Sequence, residues 1–194
     1  FQTFEEDNCA ISEADLQHLF PPFPLPQETI ARCLTARQPC RFEVIPDSPL
    51  TILDVAHNPD GIAHLFDAIS RRYPDRPLRL LFGLSKSKDV PGCLKIISSK
   101  GSHFHLVEAT NGRGASKESL KEGLRELGVD PSAIKIHSSI EEGVLHAKRE
   151  AQAQDQMVII FGTFFIMGEA RQALGFHEPR DSFDLNERNI QAKL

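Results

Sequence analysis

Short apolar runs recur along the chain at a steady pitch. They are LTILDVA (50–56), LRLLFGL (78–84), HFHLVEA (103–109), AIKIHSS (133–139) and MVIIFGT (157–163). Each is about one strand long and nearly continuous, the pattern of a strand covered on both faces. Between them the spacing turns helical. Ile62, Leu65, Phe66 and Ile69 make one stripe, Leu120, Leu124 and Leu127 a second, and Ile140, Val144 and Ala147 a third. Strand and helix alternating in this way predict βαβ units, a parallel sheet and right-handed crossovers. Upstream, RFEVIPDSPLTILDV holds two short strands around a Pro-Asp-Ser-Pro turn, which predicts a hairpin adding an edge strand. The expected fold is therefore α/β: a Rossmann-like three-layer domain with a mostly parallel sheet of about six strands.

The ends read differently. Residues 5–37 form a helical lead-in broken by the proline-dense PPFPLPQ (21–27), and beyond Gly175 the chain is polar and aperiodic. Boundaries are placed accordingly: a lead-in over 1–40, an α/β domain over 41–175 and a polar tail over 176–194. The chain starts at Phe1 with a helix-like phrase already under way, as expected of a piece of something longer.

Bulk properties narrow the partners. Charged residues are 25% and hydrophobic ones 40%, ordinary for a globular protein, and the net charge of −5 argues against a nucleic-acid partner. The longest apolar run, at 157–168, is too short to span a bilayer. Cys9, Cys33, Cys40 and Cys93 form no C-x-x-C pair and read as reduced, packed thiols of a cytoplasmic protein.

In an open α/β sheet ligands bind beyond the carboxyl ends of the strands, so chemistry is sought in the loops after Val55, Leu84, Glu108 and Phe161. The first, DVAHNP, sets Asp54 and His57 at a strand end, with Asn58 and Pro59 opening a helix. A catalytic dyad lacks a nucleophile elbow, and a metal site lacks further His or Cys ligands at useful spacing, so no metal residue is assigned. Asp54 either accepts backbone N–H groups in a tight turn or docks a ligand. FGLSKSKDV (82–90) ends the second strand and opens a helix, and its Lys86 and Lys88 read as solvated charge or phosphate contacts. TNGRGAS (110–116) imitates a phosphate-binding P-loop, but the required lysine is missing. What remains is a flexible turn presenting Arg113, with Ser116 capping the next helix. At FGTFFIMGEA (161–170), Gly162 allows a tight turn, Thr163 offers a hydroxyl at the ligand edge, and the phenylalanines and Met167 read as core. No G-x-G-x-x-G follows a strand, which disfavours a dinucleotide-dependent dehydrogenase.

Taken in order, these loops resemble the C-terminal portion of folylpolyglutamate synthase/dihydrofolate synthase, a branch of the Mur ligase superfamily. The family's D-x-A-H-N-P stands as Asp54, Ala56, His57, Asn58 and Pro59. Its G-[ML]-x-x-D-K-D loop is GLSKSKD, with Ser87 for the first aspartate, and its P-R-[GA] turn is Gly112-Arg113-Gly114, with glycine for proline. Its P-G-R-[FL] is PCRF, with Cys40 for glycine and Arg41 kept, and its [CT]-G-[ST] strand end is FGT. The resemblance runs from about Gln27 to Gly175, and a softer match gives Asn8 a counterpart in the lead-in.

The resemblance implies an ATP-dependent amide ligase. ATP would phosphorylate a folate or dihydropteroate carboxylate, and the amino group of L-glutamate would attack the acyl phosphate. It implies ATP contacts at Asn8, Arg41, Asp54 and His57, and substrate or interdomain contacts at Asn58, Lys88, Asp89, Arg113 and Thr163. The P-loop, the Mg2+ ligands and the catalytic lysine would lie in an N-terminal ATPase domain, the chain's expected partner, so no catalytic residue is assigned within these residues. Two alternatives stand beside it: a Mur-type peptide ligase domain, and a noncatalytic ligand-binding α/β module.

Overall fold

The computed structural model describes residues 38–177, together with Glu28. The expected helical lead-in (apart from Glu28), Asn8, Cys9, Cys33 and all of the polar tail beyond His177 lie outside the described residues.

The strands are β1 (Glu43–Ile45), β2 (Thr51–Asp54), β3 (Leu78–Gly83), β4 (His103–Leu106), β5 (Ile134–Ile136) and β6 (Met157–Gly162). The helices are α1 (Pro59–Arg72), α2 (Val90–Ile97), α3 (Lys117–Glu126), α4 (Ile140–Ala153) and α5 (Met167–Ala173). The sheet order is β1-β2-β6-β3-β4-β5, with only β1 antiparallel. The five apolar runs and the edge hairpin thus form the strands the pattern predicts.

Helices α1, α2 and α3 cover one face of the sheet. There Ile62, Phe66, Ile69, Leu94, Ile97, Leu120 and Leu124 pack on Ile52, Leu80, Phe82, Phe104, Ile159 and Phe161. Helices α4 and α5 cover the other, where Ile140, Val144, Ala147, Met167 and Ala170 pack on Leu53, Leu81, Val158 and Ile160. No helix among the described residues is long and apolar enough to cross a membrane.

Three details depart from the pattern. Leu127 falls just past the end of α3 and is 44% exposed, because the helix stops one turn short of completing its stripe. Phe164 is exposed and Phe165 half-buried, since a 3-10 turn at 164–166 swings them off the sheet, while Phe161, Ile166 and Met167 stay in the core. The α4 face is not uniformly apolar: Arg79, His105 and Lys135 point into it from β3, β4 and β5.

Candidate functional site

The carboxyl ends of the central strands finish level with one another. Asp54 pairs with Phe161, Gly83 with Gly162 and Phe82 with Leu106. The following helices leave β2 and β3 toward one face and β6 toward the other, so β6 lies at the switch point where α/β sheets bind ligands. That geometry needs Gly162. Its φ is +120°, and a Cβ there would lie 2.1 Å from the Gly83 carbonyl oxygen.

The Arg41 turn is fastened onto the tip of β2. The Val55 N–H donates to the Cys40 carbonyl (3.0 Å), and the Phe42 N–H donates to Asp54 Oδ2 (2.8 Å). The Cys40 N–H donates to Glu43 Oε2 (2.8 Å), and Glu43 in turn pairs with Arg171 of α5. Arg41 is therefore exposed between two anchored neighbours, each in the left-handed region: Cys40 at φ 60° and Phe42 at φ 45°. Backbone strain of this kind persists only where surrounding contacts enforce it, and it gathers at functional sites. It also explains why a glycine suits the position of Cys40.

Of the two roles weighed for Asp54, accepting backbone N–H groups in a tight turn is the one observed. Besides Phe42, its Oδ1 accepts the Ala56 N–H at 2.7 Å, so both oxygens hold backbone. These bonds shape the turn that presents Arg41. His57 Nδ1 lies 2.8 Å from the Val55 carbonyl, which fixes the proton on Nδ1 and leaves Nε2 as the ring's acceptor. Asn58 caps α1 by accepting the Gly61 N–H (2.8 Å), with Pro59 in the first turn.

The neighbouring loops are joined by hydrogen bonds. The Ala115 N–H donates to the Leu84 carbonyl (2.7 Å), the Lys86 N–H to the Arg113 carbonyl (3.0 Å) and Lys86 Nζ to the Gly112 carbonyl (2.8 Å). Arg113 stacks over the Phe165 ring at 5.3 Å. Gly112 has φ 71°, a conformation closed to proline, so this turn runs differently from one built on Pro-Arg. Lys88 is exposed, and Asp89 caps α2 by accepting the Gly92 N–H (2.9 Å). Ser116 caps α3 as expected. Thr163 is a correction: it is 4% exposed, its hydroxyl accepts the Phe165 N–H at 3.5 Å, and it caps the 3-10 turn instead of facing a ligand.

A second polar constellation was missed from sequence. Arg79, fully buried, donates to Gln156 (2.8 Å), Glu150 (2.6 Å), Gln154 (3.0 Å) and His105 Nε2 (2.9 Å). Since Nε2 accepts, His105 Nδ1 carries the proton and donates to His137 Nε2 at 2.8 Å. His146 completes the group from α4. Burial, then the neighbouring cations, push His105 down to about 3 and lower His137, so both rings are neutral near pH 7. Burial would raise the Glu150 carboxyl, but the Lys135 hydrogen bond and the charge of Arg79 outweigh it and hold it below the usual range. The sequence signal was the alternation in HFHL, where polar and apolar residues take opposite faces.

Comparison with known proteins places the chain in one family. Residues 40–164 match the family model described as Mur ligase, glutamate ligase domain. A dihydrofolate synthase/folylpolyglutamate synthase of Buchnera aphidicola is 29% identical over 66% of this chain and 29% of its own length. A folylpolyglutamate synthase of Lacticaseibacillus casei is 28% identical over 78% of this chain and 33% of its own. Thus the chain spans about a third of these relatives. Among solved structures, the bifunctional folylpolyglutamate synthase/dihydrofolate synthase of Yersinia pestis, complexed with AMPPNP and a manganese ion, superposes with a TM-score of 0.67 and 30% identity, covering 79% of this chain and 35% of that one. With a family model matching more than half its length, and a fold shared with a solved member of the same branch, the chain belongs to the glutamate ligase domain family of Mur ligases.

Proposed function

We propose that this chain supplies the glutamate-ligase domain of an ATP-dependent folylpolyglutamate/dihydrofolate synthase, closing over a nucleotide held by an N-terminal P-loop domain. The carrying observation is the Arg41 turn, pinned to the tip of β2 by Asp54 and held exposed at the switch point of the sheet. A guanidinium there can pair bidentately with phosphate oxygens and stay charged at any working pH. The AMPPNP and manganese of the Yersinia pestis enzyme support a nucleotide and a divalent ion, which we assign as ATP and Mg2+.

In this reading residues 1–40 lead in from the ATPase domain, 41–175 form the ligase domain and 176–194 a tail, in a cytoplasmic enzyme. Asn8 and Arg41 contact ATP, His57 offers Nε2 beside it, and Asp54 positions the turn and accepts from the nucleotide. Asn58, Lys88, Asp89 and Arg113 border the substrate or the partner domain. Thr163 serves this rim by capping its turn. The γ-phosphoryl group passes to the folate or dihydropteroate carboxylate, the glutamate amine attacks the acyl carbon, and inorganic phosphate leaves. Two domains closing together keep water from the acyl phosphate.

The test is ligation by the protein of the complete gene. ATP-dependent joining of glutamate to dihydropteroate or a folate, and none to UDP-linked muropeptides, is expected. Activity on muropeptides alone would replace this reading with the Mur-type one, and activity on neither would leave a ligand-binding module.

A further inference from the structure

We propose that His105, His137 and His146 form a site for one divalent transition-metal cation of the Zn2+ type, separate from the strand-tip rim. The three residues come from β4, the segment after β5, and α4, yet their ring centroids lie 5.0, 5.7 and 5.3 Å apart. One nitrogen from each ring falls within 4.8 Å of the other two. Tetrahedral zinc, with metal–nitrogen bonds of about 2.0–2.1 Å, wants its ligand nitrogens roughly 3.3 Å apart. Binding therefore requires the rings to turn, opening the 2.8 Å His105–His137 contact and drawing His146 inward from within 4.8 Å.

A second observation points the same way. His146 Nδ1 is buried without a hydrogen-bond partner, its nearest carboxylate oxygen being Glu150 Oε2 at 3.7 Å. A buried lone pair left unmatched is costly, and a cation satisfies it. The outer shell is also in place. When His105 coordinates through Nδ1, its proton moves to Nε2, which must then release the Arg79 N–H (2.9 Å) and turn to Glu150 Oε2, 3.6 Å away. Arg79 keeps Glu150, Gln154 and Gln156, and His137 Nδ1 lies 3.9 Å from Glu142 Oε1. Both carboxylates stand near enough for a ring that turns onto the metal to donate to them, the arrangement that orients a ligating histidine.

Charge permits it. Arg79 and Lys135 oppose a cation, and Glu150 and Glu142 offset them. Neutral imidazoles without an oxygen ligand select Zn2+, Co2+, Ni2+ or Cu2+ over Mg2+ and Ca2+, so this site does not compete for the ion that accompanies ATP. His146, 27% exposed, is the side on which an ion enters, and water takes the fourth position.

The test is titration of the untagged full chain, stripped with chelator, with Co2+ and then Zn2+. Expected are one equivalent of Co2+ with a visible d–d band, displacement by Zn2+, and X-ray absorption of the zinc form showing three imidazoles at about 2.0 Å. His146→Gln should weaken Zn2+ binding by about 100-fold with an unchanged circular dichroism spectrum. His64→Gln, on the exposed side of α1, should bind as wild type. The absence of the cobalt band, or wild-type affinity in His146→Gln, would overturn the proposal. The absorption spectrum of the wild type decides it even if that variant fails to fold.

Discussion

Single side chains here do work that their types alone do not announce. Asp54 holds backbone with both oxygens, so Asp54→Ala should lower stability by about 2 kcal/mol through loss of two hydrogen bonds, read as a shifted urea midpoint. Cys93 is fully buried, and burial, helped by the charge of Asp89, pushes its thiol up to about 11. Its folded value is above its unfolded one, so its share of stability is complete below about pH 9 and is lost as pH rises toward 11. Mass spectrometry should accordingly find Cys93 unalkylated by iodoacetamide at pH 8 until urea unfolds the chain. The places of Asp54, His57 and Asn58 were legible because strand-end position and capping chemistry are local, whereas Arg41 stood out only through the family resemblance. Thr163 was not, because whether a hydroxyl faces outward or caps a turn depends on φ and ψ of the residues after it.

Elements were legible where periodicity was strong, and obscured where polar groups face a covered side. The runs at 78–84 and 103–109 predict strands, yet Arg79 and His105 stand on the α4 face, matched by Glu150 and Gln154 more than forty residues later. Partners so distant in sequence leave no local trace. Glu150→Ala would strand a fully buried guanidinium and should cost about 3–5 kcal/mol in chelator-treated protein, measured by equilibrium unfolding. At the sheet's centre, Gly162→Ala meets the Gly83 carbonyl oxygen and an unfavourable φ together, so it should cost about 3 kcal/mol or more, seen as a lowered Tm.

At the scale of the whole molecule, a doubly covered sheet lines its loops along one rim and turns an arginine outward there. The edge hairpin β1–β2 gains a purpose in this view, because its N-terminal turn carries Arg41 and its register sets Asp54 beneath that turn. Glu43 and Arg171 tie the same turn to α5. In the proposed function this rim is one half of a nucleotide clamp whose other half is the P-loop domain.

The most direct measurement is kcat/KM for ATP in the protein of the complete gene, comparing wild type with Arg41→Ala and Arg41→Lys. Loss of a charge-assisted contact of about 1.5–3 kcal/mol predicts a fall of roughly 10- to 150-fold for Arg41→Ala, partial recovery in Arg41→Lys, and an unchanged Tm in both. Wild-type kcat/KM for ATP in Arg41→Ala would contradict the clamp.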